Sequence, residues 1–183
     1  MDPKRALVVF YSRTGATKIV GDKIARLLQC DSEELVDRRP RLGLAGYLRS
    51  GFDATFRRSA DLAPTKLDPS AYDLVLIGTP FWNESVSAPI RTYLAANQAR
   101  LKRVAFFCTH GGSGSAKVLA ELERLCAKKP VATLVLRTTQ VRFEDIDPRV
   151  RELVAAVERG MAATPSEPAM TPMPPGHDHP VHA

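Results

Sequence analysis

The feature that most restricts how this chain can fold is an alternation. Short, apolar, β-branched runs are separated by segments whose apolar residues recur at helical spacing. "RALVVFY" (5–11), "YDLVLIG" (72–78), "RVAFFCT" (103–109) and "VATLVLRTTQV" (131–141) read as strands, with "SEELVD" (32–37) a shorter one. From Thr14 to Leu28, the positions Ile19, Val20, Ile24, Leu27 and Leu28 form one helical stripe. Further helices are expected over 88–101, over 115–129 (ended by Pro130) and over 147–161, the last with Asp147 as N-cap. Residues 37–66 are less regular; Leu44, Tyr47, Leu48, Phe52 and Phe56 suggest helical pieces interrupted by Gly46 and Gly51. Strands that are apolar along their whole length belong to a parallel sheet covered on both faces. The expected fold is therefore α/β, a doubly wound three-layer sandwich on a five-stranded parallel sheet. Residues 1–162 form the domain. Residues 163–183 contain six prolines and no apolar period, and are expected to be a disordered tail.

Composition narrows the environment. Cys30, Cys108 and Cys126 cannot all pair within the chain, and each lies beside an apolar run, which suits buried thiols in a reducing compartment. The six-residue apolar stretch near the N-terminus is too short for a secretory signal, and no run reaches membrane-spanning length. A cytoplasmic protein is expected. The net charge of +6 is concentrated: between 37 and 58, six arginines face two aspartates. Such a patch fits an acidic partner, an anionic membrane or nucleic acid. Tyr47, Phe52 and Phe56 lie among these arginines at helical spacing, which suits core contacts beneath a solvated basic face, so nucleic acid is not expected to be a partner. Nor is a metal: His177, His179 and His182 stand in the tail, where histidines usually have no specific task.

In an open parallel sheet, ligands bind beyond the carboxyl ends of the strands, where strand order reverses. Three loops fall there. In "SRTGAT", Ser12, Thr14 and Thr17 bring hydroxyls, Gly15 permits a tight turn, and the helix that begins at once presents unpaired N–H groups to an anion. The loop matches neither an NTPase P-loop nor the G-x-G-x-x-G fingerprint. Hydroxyls and amides of this kind suit a terminal phosphate monoester; plain helix capping is the alternative. In "GTPFWNESVSAP", Phe81 and the single tryptophan, Trp82, stand where a strand is expected to end, and offer flat faces to a planar ring or plug the sheet. In "THGGSGSAK", Gly111, Gly112 and Gly114 allow backbone to approach a ligand; a flexible surface loop is the alternative. Taken together, the loops describe one ligand with an anionic tail and a flat ring.

The same segments resemble the flavodoxin family, FMN-binding proteins on five-stranded doubly wound sheets. "FYSRTGATKIVGDKIA" is similar to the family's phosphate-loop pattern, S/T-x-T-G-x-T. "YDLVLIGTPFWNESVSAPIRTYL" and "RVAFFCTHGGSG" resemble its two ring-side loops. The resemblance covers roughly residues 5–160 and implies strand order 2-1-3-4-5, with FMN as cofactor. It implies phosphate contacts from Ser12, Thr14, Gly15 and Thr17, with Ala16 contributing backbone only, because the family's usual asparagine is absent there. Pro80, Phe81, Trp82 and Asn83 would line one side of the ring, and Thr109, His110, Gly111 and Gly112 the other. The third loop lacks the second aromatic common in electron carriers of the family, which opens one ring face.

The expected function is electron transfer through bound FMN, to a redox partner protein or a small-molecule acceptor. The alternatives are an NAD(P)H-dependent quinone or nitro reductase, with His110 a conceivable proton donor, and a non-redox binding module on the same fold. Carriers of the family are typically acidic, whereas this chain is basic. One charge about 10 Å from the ring through water changes its energy by roughly 0.4 kcal/mol, on the order of 20 mV for one electron. Several nearby arginines would therefore make the ring easier to reduce.

Overall fold

The structure, a computed structural model, describes residues 5–38, 60–82, 85–112 and 115–162. Its strands are β1 (Ala6–Phe10), β2 (Asp31–Glu34), β3 (Leu74–Trp82), β4 (Ser85–Val86), β5 (Val104–His110) and β6 (Pro130–Arg137). Its α-helices are α1 (Ala16–Leu28), α2 (Ala88–Asn97), α3 (Ser115–Cys126), α4 (Thr138–Phe143) and α5 (Asp147–Ala162). Five strands run parallel in the order β2-β1-β3-β5-β6, and β4 pairs antiparallel with the far end of β3. Setting the short β4 aside, this is the expected order 2-1-3-4-5.

Alternation along each strand divides the core in two, because successive side chains point to opposite faces. Val8, Phe10, Leu74, Leu76, Ala105 and Phe107 pack on one side with Val20 and Ile24 of α1 and Val150, Leu153 and Val157 of α5. Leu7, Val9, Val75, Ile77, Val104 and Phe106 pack on the other, with Ile90, Tyr93 and Leu94 of α2 and Val118 and Leu122 of α3. Both faces of the central strands are dry, as a parallel sheet between helical layers requires. Cys108 and Cys126 are buried, Cys30 is partly buried, and all three are free thiols. Burial pushes the thiols of Cys108 and Cys126 up to about 12, and that of Cys30 to about 11.

The structure corrects the sequence expectations at four places. β2 is neither apolar nor buried along its length, because among the described residues it is an edge strand paired with β1 alone, and it stops at Glu34. β3 does not end at Gly78 but runs through Phe81 and Trp82, which pair with Val86 and Ser85. Thr138–Phe143 is helix, not the end of a strand: the Arg137 amide donates to Gln140 Oε1 at 2.9 Å, a side-chain cap that turns the chain out of the sheet. Asp147 is the first residue of α5 and not its N-cap; Asp145 Oδ1 accepts the Asp147 amide at 2.9 Å, while the Asp147 carboxylate pairs with Lys23 of α1. That pairing, chiefly the Lys23 hydrogen bond, holds the Asp147 carboxyl below the usual carboxylate range. The helical pieces expected in 37–66, most of the arginine segment, and the tail lie outside the described residues. Among the described residues, no helix is long and apolar enough to cross a membrane.

Candidate functional site

The carboxyl ends of β1, β3 and β5 share one rim of the sheet, and the register brings their loops together. Phe10 is level with Gly78, and Pro80 with Thr109. The Tyr11 amide donates to the Gly78 carbonyl at 3.1 Å, carrying the chain directly from β1 into the first loop.

That loop ends at Gly15, the N-cap of α1, whose φ of 89° lies in the left-handed region. An added Cβ there would meet no atom within 4 Å, so glycine is needed for backbone conformation and not for room. Gly15 has no side chain to cap the helix, and the task falls partly to Ser12, whose Oγ accepts the Lys18 amide at 3.1 Å. The Ala16 and Thr17 amides, the first two of the helix, are left at its positive end. Thr14 is exposed and Ser12 half-buried, so both hydroxyls border solvent. The ammonium of Lys18 turns away to Glu34 at 2.9 Å, and that hydrogen bond raises its pKa. The arrangement offers an anion amides and hydroxyls, with no lysine point charge committed to it.

Thr17 joins the first loop to the third. The residue is 1% exposed, and its hydroxyl lies 2.8 Å from that of Thr109, a residue 2% exposed, across 92 residues of sequence. His110, the last residue of β5, stacks on Phe81 of β3 with ring centroids 5.0 Å apart and planes 13° from parallel. This joins the second loop to the third. Phe81 is buried and belongs to the core. The imidazole stacked on it is only partly buried, yet its Nδ1 is enclosed and has no hydrogen-bond partner among the described residues. A buried nitrogen of this kind is expected to find a partner in a ligand or water. Gly111 and Gly112 follow as exposed backbone with open space where side chains would be.

Of the residues singled out in the sequence, Ser12, Thr14, Gly15, Ala16 and Thr17 form one end of this rim. Pro80, Phe81, Thr109, His110, Gly111 and Gly112 form the other. Trp82 is placed by its backbone as the last residue of β3. Asn83 lies outside the described residues. Sequence reasoning missed Thr79, Arg91 and Glu121, which hold the second loop from behind. The Ser87 amide donates to Thr79 Oγ1 at 3.2 Å, Arg91 donates to the Val86 carbonyl, and Glu121 accepts the Val86 amide at 2.9 Å. The one available signal was Arg91 itself, a charged residue within the apolar helix "APIRTYL" and only 8% exposed.

A family model described as flavodoxin matches residues 5–142. No curated protein matches the sequence. Among solved structures, a flavoprotein from Lactobacillus acidophilus NCFM in complex with FMN is 23% identical; the alignment covers 76% of this chain and 97% of that one, with a TM-score of 0.64. A protein from Bacteroides uniformis ATCC 8492 is 18% identical over 84% of this chain and 99% of that one, at a TM-score of 0.69. The two-electron reduced Megasphaera elsdenii flavodoxin is 16% identical over 84% of this chain and 98% of that one, at 0.55. At such identities the structural likeness establishes the fold.

Proposed function

This chain belongs to the flavodoxin family, and on that premise we propose that it binds FMN and passes electrons through it. The observation that carries the reading is the meeting of the three loops: Thr17 against Thr109 at 2.8 Å, and His110 stacked on Phe81. A relative solved with FMN supports the choice of cofactor, and the residues present fit it. A helix start at which Ser12 takes the Lys18 amide, and where glycine at φ 89° brings no capping side chain, suits a phosphate monoester at the Ala16 and Thr17 amides. Open backbone at Gly111 and Gly112, and an enclosed imidazole nitrogen that no described residue pairs with, suit a flat ring with polar edges.

In this reading Ser12, Thr14 and the amides of Gly15, Ala16 and Thr17 hold the phosphate. Pro80, Trp82 and Asn83 of the second loop line one side of the ring and Thr109, Gly111 and Gly112 of the third the other, while Phe81 and His110, stacked on each other, meet it together from its edge. When bound, FMN supplies the redox chemistry, which the side chains here lack. The chain's own residues orient the ring, limit water around it and set its electrostatic surroundings. The redox partner is a protein or a small-molecule acceptor.

A second reading, an NAD(P)H-dependent quinone or nitro reductase, is favoured by one observation. The described part of the third loop ends in exposed glycines and carries no aromatic beyond His110, which leaves room for a substrate over the ring. The visible spectrum of the purified protein, followed by anaerobic titration with NADPH, tests both. A yellow protein that NADPH does not bleach, but dithionite does, supports the carrier. Rapid bleaching by NADPH, with quinone turnover above about 1 s⁻¹, supports the reductase. A protein that stays colourless after incubation with FMN overturns both and leaves a non-redox binding module.

A further inference from the structure

Behind the second ring-side loop, two charged side chains from different helices grip the same two residues. Glu121 of α3 accepts the Val86 amide at 2.9 Å and the Ser85 hydroxyl at 3.3 Å, both on Oε2. Arg91 of α2, 8% exposed, donates from Nη1 to the Ser85 hydroxyl oxygen at 3.1 Å and to the Val86 carbonyl. The backbone N–H and C=O of Val86 and the Ser85 side chain are thus occupied by groups with formal charge, which make stronger hydrogen bonds than neutral ones. Ser85 and Val86 form β4, whose strand partner among the described residues is the Trp82 and Phe81 end of β3.

A two-residue strand has little stability of its own. Nothing in its own backbone pairing requires a carboxylate and a buried guanidinium to close on it. We infer that Arg91 and Glu121 are positioning residues for the ring side of the site: by fixing Ser85 and Val86 they hold Phe81 and Trp82 at the rim. α3, which supplies Glu121, begins immediately after the third loop, so this carboxylate also ties the second loop to the helix that follows the third. The inference rests on the FMN reading for its ligand and on the hydrogen bonds alone for the clamp. It predicts a division of labour in which the clamp controls affinity for the ring and leaves the phosphate loop unaffected.

The test uses the full chain, with Glu121→Ala and Glu121→Gln compared with wild type. The glutamine keeps an acceptor oxygen for the Val86 amide; the alanine does not. Titrations with FMN are expected to show a Kd at least tenfold weaker for E121A, and within threefold of wild type for E121Q. Inorganic phosphate, competing for the first loop, should keep its affinity within twofold in both variants. The fluorescence anisotropy of Trp82, the only tryptophan in the chain, should fall in cofactor-free E121A and recover in E121Q. Thermal melts of each variant identify any global loss of structure. E121A binding FMN within twofold of wild type would overturn the inference. So would equal losses of FMN and phosphate affinity, or an E121Q as impaired as E121A. Failure of the wild type to bind FMN would count against the cofactor reading instead, and the anisotropy would still decide the clamp.

Discussion

Two glycines near the rim are required for opposite reasons, and substitution separates them. At Gly15 the backbone is left-handed and the space beside it is open, so alanine there is opposed only by conformation. Gly15→Ala should lower stability by about 1–2 kcal/mol without rearranging the core. At Gly78 the backbone is ordinary strand, but a Cβ would fall 2.1 Å from Cζ of Phe107, a fully buried ring. Gly78→Ala must displace that ring and should cost about 3 kcal/mol or more, at the upper end of overpacking penalties. Urea unfolding of the two variants measures both. Equal losses would show that the Gly78–Phe107 contact is not the constraint it is taken to be. The first glycine was legible in the sequence because it stands in a recognisable loop pattern. The second was not, since its reason is a side chain on another strand.

Between elements, the Thr17–Thr109 contact joins α1 to β5 through two buried hydroxyls. Thr17→Val leaves the Thr109 hydroxyl buried without that partner and should destabilise by about 1–3 kcal/mol. Thr17→Val combined with Thr109→Val removes both polar groups and should cost less than the sum of the single changes. A double-mutant cycle by chemical denaturation reads this directly, and strict additivity would mean that the two hydroxyls do not depend on each other. The elements themselves were read unevenly. The buried strands and long helices were clear because period and apolarity agree there. β2 was read three residues too far at its end, to Asp37 instead of Glu34, since an edge strand carries a weak pattern. The run after Arg137 looked like strand because "VLRTTQV" is β-branched, while a single side-chain cap from Gln140 turned it into helix. The two-residue β4 has no period at all and becomes visible only through its tertiary partners.

For the molecule as a whole, pH should define a plateau. Asp68, Asp73 and Asp147 are held below the usual carboxylate range of about 3.8, chiefly by hydrogen bonds from Ser70, Arg5 and Lys23 respectively. A carboxyl with a depressed folded pKa adds stability above its unfolded value, and that contribution is lost as pH falls through the folded one. The thiols behave oppositely: burial raises Cys108 and Cys126 from 9.0 to about 12. Their contribution is complete below 9 and is lost as pH rises towards 12. Thermal melts across pH should therefore be level near neutrality, falling below about 4 and above about 9. A steady rise in melting temperature from pH 8 to 11 would contradict this. The fold was legible at this scale, because alternating buried strands and amphipathic helices admit few architectures. The three loops were legible as a set, since strand order places their ends on one rim. What holds them there was not, because Arg91 and Glu121 act through the backbone of residues that carry no motif.

The central claim is that this rim binds a flat ring carrying a phosphate, and a paired titration tests it most directly. Protein freed of any bound flavin is titrated with FMN and, separately, with riboflavin, following the quenching of flavin fluorescence. The account predicts saturable one-to-one binding of FMN, at least about 100-fold tighter than riboflavin, since charge-assisted hydrogen bonds to the phosphate are lost with the smaller ligand. Equal affinity for the two, or binding of neither, would contradict it.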